Sequence, residues 1–140
     1  MIAPEIAALL VRYCDAMDAA DWATVGELFV EGRLLGDDGS ELARGRDGVA
    51  AFFERLVILH GGSPQTKHLV LNTVIEAEAK DEVAARSTYL VLQATEGRLE
   101  PVACGTYNDR FVRGQDEWSF TERRFRVDLA GDLTRHVRGW

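Results

Sequence analysis

Cysteine is nearly missing from this chain. Cys14 and Cys104 are its only two; they form no Cys-x-x-Cys pair and are too few for a disulfide framework, so a reducing cytoplasm is the expected setting. Both read as small core residues. Proline is almost as scarce, with three in 140 residues, and 46% of the chain is hydrophobic, which argues against long disordered segments. Long apolar runs are also lacking. The stretch Ile6 to Val11 is bracketed by Glu5 and Arg12 and falls far short of the roughly 20 residues a bilayer span needs; no secretory signal is read either. Positive charge is in deficit, with a net charge of −7 and no basic cluster denser than "ERRFR". Nucleic acid is therefore not an expected partner, and the short apolar runs leave no membrane partner expected either. His60, His68 and His136 have no metal-ligand spacing, and no Gly-x-Ser-x-Gly or phosphate-loop pattern occurs. The acids of "GDDGS" suit a hairpin turn better than a calcium loop. Hydrolase, kinase and metalloenzyme readings lose weight accordingly, and no metal or organic cofactor is expected.

What is present suits one domain covering residues 1–140, long enough to bury a sizeable core. The pattern opens helical: Pro4 suits a first turn, and Ile6, Leu9, Leu10, Tyr13 and Met17 recur at 3.6-residue spacing. A short second helix is predicted over Trp22 to Phe29, then a small hairpin turning at Asp38 and Gly39. A third helix is predicted from about Asp47 to Leu59, closed by "HGGSP". From Thr66 the period changes to two. Four strands are predicted, Thr66 to Glu78, Val83 to Thr95, Val102 to Arg113 and Trp118 to Leu129, joined by the turns "AKDE", "TEGRLEP" and "RGQDE". The expected architecture is α+β, with a helical N-terminal half packed on a curved antiparallel sheet. Leu69, Leu71 and Ile75 alternate with Val70 and Val74, so both faces of that strand look apolar and need cover. A homodimer or higher homo-oligomer, or an internal pocket, would supply it.

Three aspartates, Asp15, Asp18 and Asp21, follow one another in "CDAMDAADW". Asp21 falls at a helix junction and can cap the first turn of the second helix. On a helical wheel Asp15 points away from the apolar stripe, into solvent, while Asp18 sits at its flank, where partial burial is allowed. A buried carboxylate needs a donor or a cation. His68, Asn72, Ser87, Tyr89, Asn108 and Arg123 are the polar candidates on apolar strands, and His68, at the start of a strand in "TKHLVLN", is the most interesting of them.

The chain resembles the SnoaL-like group of the nuclear transport factor 2-like superfamily over nearly its whole length. The resemblance rests on "YCDAMDAADW", "LF" at Leu28 and Phe29, "RGRDGVAAFF", "TKHLVLN", "GTYNDRF" and "EWSFTERRF". It implies three helices on a cone-shaped curved antiparallel sheet (a cystatin-like roll) with an interior pocket. "MDAADW" followed by "TKHLVLNT" looks most like the branch of scytalone dehydratase and hexachlorocyclohexane dehydrochlorinase. That likeness implies that Asp18 orients a base and that His68 is the base. It further implies pocket roles for Asn108, which resembles the dehydratase's asparagine, and for Arg123, which resembles the dehydrochlorinase's arginine. Two positions depart from the dehydratase: Met17 stands where it has a tyrosine, and its second pocket histidine aligns near Ser87. Tyr89, on the same strand face as Ser87, or Tyr13, one helical turn before Met17, is then a candidate for the missing hydroxyl.

An imidazole oriented by Asp18 would remove a proton beside a carbonyl or a leaving group, in an elimination or isomerisation without cofactor. The expected function is thus a lyase or isomerase acting on a small hydrophobic, ring-containing molecule. The alternatives are a ligand- or partner-binding protein without turnover, and a polyketide cyclase or ketosteroid-isomerase-like enzyme on the same fold.

Overall fold

The expected order of elements is observed in a computed structural model that describes residues 3–139. Helix α1 (Pro4–Asp18) carries Pro4 in its first turn and buries Ile6, Leu9, Leu10, Tyr13, Cys14, Ala16 and Met17, the stripe expected from the spacing. Helix α2 (Trp22–Leu28) begins at Asp21, whose carboxylate accepts the Thr24 amide at 3.1 Å and the Thr24 hydroxyl at 2.6 Å. Asp15 is exposed. Strands β1 (Arg33–Leu35) and β2 (Glu41–Arg44) form the small hairpin, and Asp38 accepts the Ser40 amide within its turn.

Helix α3 (Gly45–Leu56) stops short of the expected Leu59. The C-terminal segment explains this. Its Arg138 amide donates to the Leu56 carbonyl and its guanidinium to the carbonyls of Arg55 and Val57. Those oxygens, left free by a helix end, find partners without another turn.

Strands β3 (Thr66–Glu78), β4 (Glu82–Thr95), β5 (Arg98–Arg113) and β6 (Trp118–Ala130) complete a six-stranded sheet in the order β2-β1-β6-β5-β4-β3. Three differences from the sequence reading bear on the site. The sheet is mixed, because β1 lies parallel to β6, with Leu34 opposite Arg123. The β4–β5 connection is not the long turn "TEGRLEP" but the pair Glu96–Gly97, both at positive φ (55° and 76°), as a tight two-residue hairpin requires. Lastly, β3 bulges between Leu71 and Val74, where Asn72 takes φ 52°. The bulge shifts the alternation by one, so Ile75 joins Val70 against the core while Leu71 and Val74 are exposed together. Strict alternation would have put Ile75 with Leu71.

The helices cover one sheet face, and the core between them is rich in rings. Phe29 stacks on Phe120 at 4.7 Å, and Tyr13 meets Phe29, Phe53, Tyr107 and Phe120 at 6.1–6.2 Å between centroids. No helix among the described residues is long and apolar enough to cross a membrane.

Candidate active site

The last residue of α1 meets the first turn-facing residues of β3. Asp18 Oδ1 lies 2.6 Å from His68 Nδ1 and 2.9 Å from the Thr66 hydroxyl, while Oδ2 accepts the His68 backbone amide at 2.9 Å. Three donors therefore converge on one carboxylate, whose side chain is 14% exposed beside an imidazole that is 6% exposed. A carboxylate so placed accepts a hydrogen bond from Nδ1–H, which fixes the tautomer that leaves Nε2 with its lone pair. Among the described residues no protein group hydrogen-bonds that second nitrogen, and His68 lines a cavity.

The cavity holds about 620 Å3, counting its open mouth. Apolar side chains from every layer wall it, including Met17, Phe53, Val91, Phe125 and Val137, and its polar lining is His68, His136, Tyr13, Tyr89 and Tyr107. Such a lining suits an uncharged, largely apolar molecule with few polar groups.

Two sequence candidates reach this wall beside the dyad. Tyr89 stacks on Tyr107 with centroids 4.3 Å apart, and its hydroxyl donates to the Arg126 carbonyl at 3.1 Å. Tyr13 is buried, and desolvation pushes its phenol up to about 12, against the opposing charge of Arg123. Both phenols stay protonated at neutral pH.

The other three candidates do not reach it. Asn108 is a correction of strand parity: on β5 its neighbours Tyr107 and Asp109 are buried inward, so Asn108 points to the opposite face, beside Arg110 and Arg124. Ser87 faces inward but is sealed off, fully buried and sharing a hydrogen bond with Thr73 at 2.9 Å. Arg123 is also fully buried, and it is committed to Asp109 through two parallel hydrogen bonds of 2.7 and 2.8 Å. Its guanidinium carbon lies 3.5 Å from the Tyr107 ring centre, 4.3 Å from that of Tyr13 and 4.7 Å from that of Phe120. Arg123 therefore supports the floor of tyrosines from behind rather than touching the cavity. Burial pushes the Asp109 carboxyl up, and the guanidinium opposes that shift.

His136 and Tyr107, which line the cavity, and Asp109, which holds Arg123 behind it, are residues that the sequence reading did not assign. Tyr107 and Asp109 were legible in principle, flanking Asn108 in the alternating run "TYNDRF". His136 had no such signal. It belongs to a non-periodic segment that reaches the cavity only because Val137 bridges Val57 and the Ile58 amide donates to the His136 carbonyl. Among the described residues no three His, Cys, Asp or Glu side chains converge as a metal-ligand set.

The model of the SnoaL-like domain matches residues 3–124. Among solved structures, a Mycobacterium tuberculosis protein of unknown function superposes with a TM-score of 0.76 at 25% identity, covering 92% of this chain and 77% of that one. An NTF2-like protein with a cystatin-like fold from Novosphingobium aromaticivorans gives 0.74 at 21%, covering 94% and 84%. A candidate scytalone dehydratase from the same organism gives 0.73 at 23%, covering 91% and 85%. Comparison by sequence with curated proteins finds no match.

Proposed function

The chain belongs to the SnoaL-like family, and from that premise we propose that it is a cofactor-independent lyase or isomerase that removes a carbon-bound proton from a small, uncharged, ring-containing molecule. One observation carries the reading: the 2.6 Å contact between Asp18 and His68 Nδ1, with the imidazole on a cavity wall. The likeness to a candidate scytalone dehydratase supports the same class of chemistry.

In this mechanism Asp18 holds the tautomer and balances the imidazolium that forms, and His68 Nε2 takes the proton. The electron pair left on carbon moves toward an adjacent carbonyl, or expels a leaving group from the neighbouring carbon. His68 then returns its proton, to another carbon in an isomerisation or to the leaving hydroxide in an elimination. A substrate filling the cavity would surround the dyad with apolar walls, a medium of low dielectric constant where aligned dipoles count for more.

The test is loss of α-protons from bicyclic ketones such as 2-tetralone in D2O, followed by NMR, together with elimination from the matching β-hydroxyketones. Catalysis by the wild-type protein above the solvent rate and its collapse in His68→Ala are expected. Catalysis that survives intact in His68→Ala refutes the dyad.

A further inference from the structure

His136 is the one cavity imidazole that the mechanism above does not use. The C-terminal segment carrying it is tied down on several sides. The His136 amide donates to the Leu133 carbonyl and the Ile58 amide to the His136 carbonyl, both at 2.9 Å, while Gln93 donates to the neighbouring Arg135 carbonyl at 3.0 Å. So fixed, the His136 ring stands 6.0 Å from that of His68, centroid to centroid, with the planes inclined at 60°.

Only 7% of His136 is exposed, yet its Nδ1 is buried without a partner, and among the described residues no hydrogen bond reaches its other nitrogen. A polar group left unmatched in an apolar wall costs on the order of 1–3 kcal/mol. Gln93 and His60, two polar side chains that reach that segment, are spent on the Arg135 carbonyl and leave the ring unmatched. Tyr89 does not serve as a cavity donor either, because its proton goes to the Arg126 carbonyl.

We propose that His136 is the cavity's receptor for substrate oxygen, hydrogen-bonding a carbonyl of an uncharged ring compound while His68 reaches a C–H bond on the carbon next to it. This rests on the dyad reading and extends it. When the C–H bond breaks, its proton goes to His68 and its electron pair moves into the carbon–carbon bond, leaving negative charge on the oxygen that faces His136. A neutral imidazole N–H donates to that oxygen. Burial keeps the ring neutral, pushing its pKa down to about 4, with the neighbouring His68 acting in the same direction and Asp18 opposing it. An enolate oxygen stabilised by a fixed neutral donor needs no proton to be transferred to it. The substrate class follows: a cyclic ketone with an acidic α-hydrogen, small enough to enter the cavity that both imidazoles line.

The probes are 2-tetralone and tetralin, which differ by one carbonyl, titrated into wild type, His136→Phe and His136→Gln. Wild type is expected to bind the ketone about 10-fold more tightly, the worth of one good neutral hydrogen bond. His136→Phe should bind the two equally while holding tetralin as before, and His136→Gln, which retains an N–H, should recover part of the preference. Equal binding by wild type, or an undiminished preference in His136→Phe, overturns the proposal. Should His136→Phe fail to fold, the imidazole 15N resonances of His136 in wild type decide: they should move with 2-tetralone and not with tetralin, and a ring unmoved by the ketone overturns the proposal. The α-proton exchange assay separates the two readings. Exchange that depends on His68, combined with a preference indifferent to His136, removes this inference alone; a preference that depends on His136, without any exchange, removes the dyad mechanism alone.

Discussion

His68 turns its ring toward Asp18 at 2.6 Å and gives the same carboxylate its own backbone amide at 2.9 Å, so one acid orients both the side chain and the strand that carries it. Chemistry and folding are joined at that contact.

The catalytic consequence is direct. With an established substrate, His68→Ala should lower turnover by roughly 10²- to 10⁴-fold, the usual contribution of a positioned general base, with thermal unfolding still cooperative. Asp18→Asn should hurt almost as much, because an amide can present a donor to Nδ1 and stabilise the wrong tautomer. Steady-state rates for the two variants check both.

Asp18→Ala should also weaken the fold. It strands the Thr66 hydroxyl, the His68 amide and the His68 ring, and part-buried donors left unmatched cost about 1–3 kcal/mol each at the upper end of burial. A loss of about 2–4 kcal/mol in urea unfolding is expected. A change below about 0.5 kcal/mol would mean that water replaces the carboxylate without penalty.

The Arg123–Asp109 pair is fully buried on both sides. Removing one partner, as in Asp109→Ala, should cost about 3–5 kcal/mol, because it leaves an uncompensated charge among aromatic rings. The double change Asp109→Leu with Arg123→Met should be milder than either single change, and chemical denaturation of the three variants reads the coupling.

His136 gives stability a pH dependence. Burial lowers its pKa to about 4 from an ordinary 6.5, so between those values the unfolded chain binds a proton that the folded chain refuses. Its contribution is fully present above about pH 6.5 and is lost as the pH falls toward 4, by up to about 3 kcal/mol over that interval. Melting temperatures of wild type should therefore drop more steeply from pH 6.5 to 4.5 than those of His136→Phe. Parallel curves would place the ring in contact with water.

Gly105 lies opposite Tyr89 on the neighbouring strand, and a methyl group added there would overlap the Arg126 carbonyl and the Tyr89 ring. Gly105→Ala should displace Tyr89 from Tyr107, destabilise the fold by about 1–3 kcal/mol and enlarge or distort the cavity. Near-ultraviolet circular dichroism of the stacked tyrosines would register the change.

Local physics in the sequence accounts for a good deal of this protein. The stripe of α1 needed only 3.6-residue spacing, the cap at Asp21 only an acid before Trp22, and the sheet only the change of period at Thr66. Asp18 and His68 were named through resemblance; the helical wheel allowed a part-buried Asp18 without bringing a histidine to it. Tertiary structure decided the rest, because the remaining features depend on contacts between segments distant in the chain. The parallel pairing of β1 with β6 leaves no local mark, and the bulge that moves Ile75 inward is set by pairing with β4. Parity on β5 turned Asn108 away from the cavity, and Asp109 drew Arg123 out of reach beneath the tyrosines. His136 entered the cavity because a segment without periodicity is hydrogen-bonded across the end of α3. Residue type and spacing determine which side chains can be buried, but which ones face the same enclosed space is settled only when the helices, sheet and C-terminal segment pack.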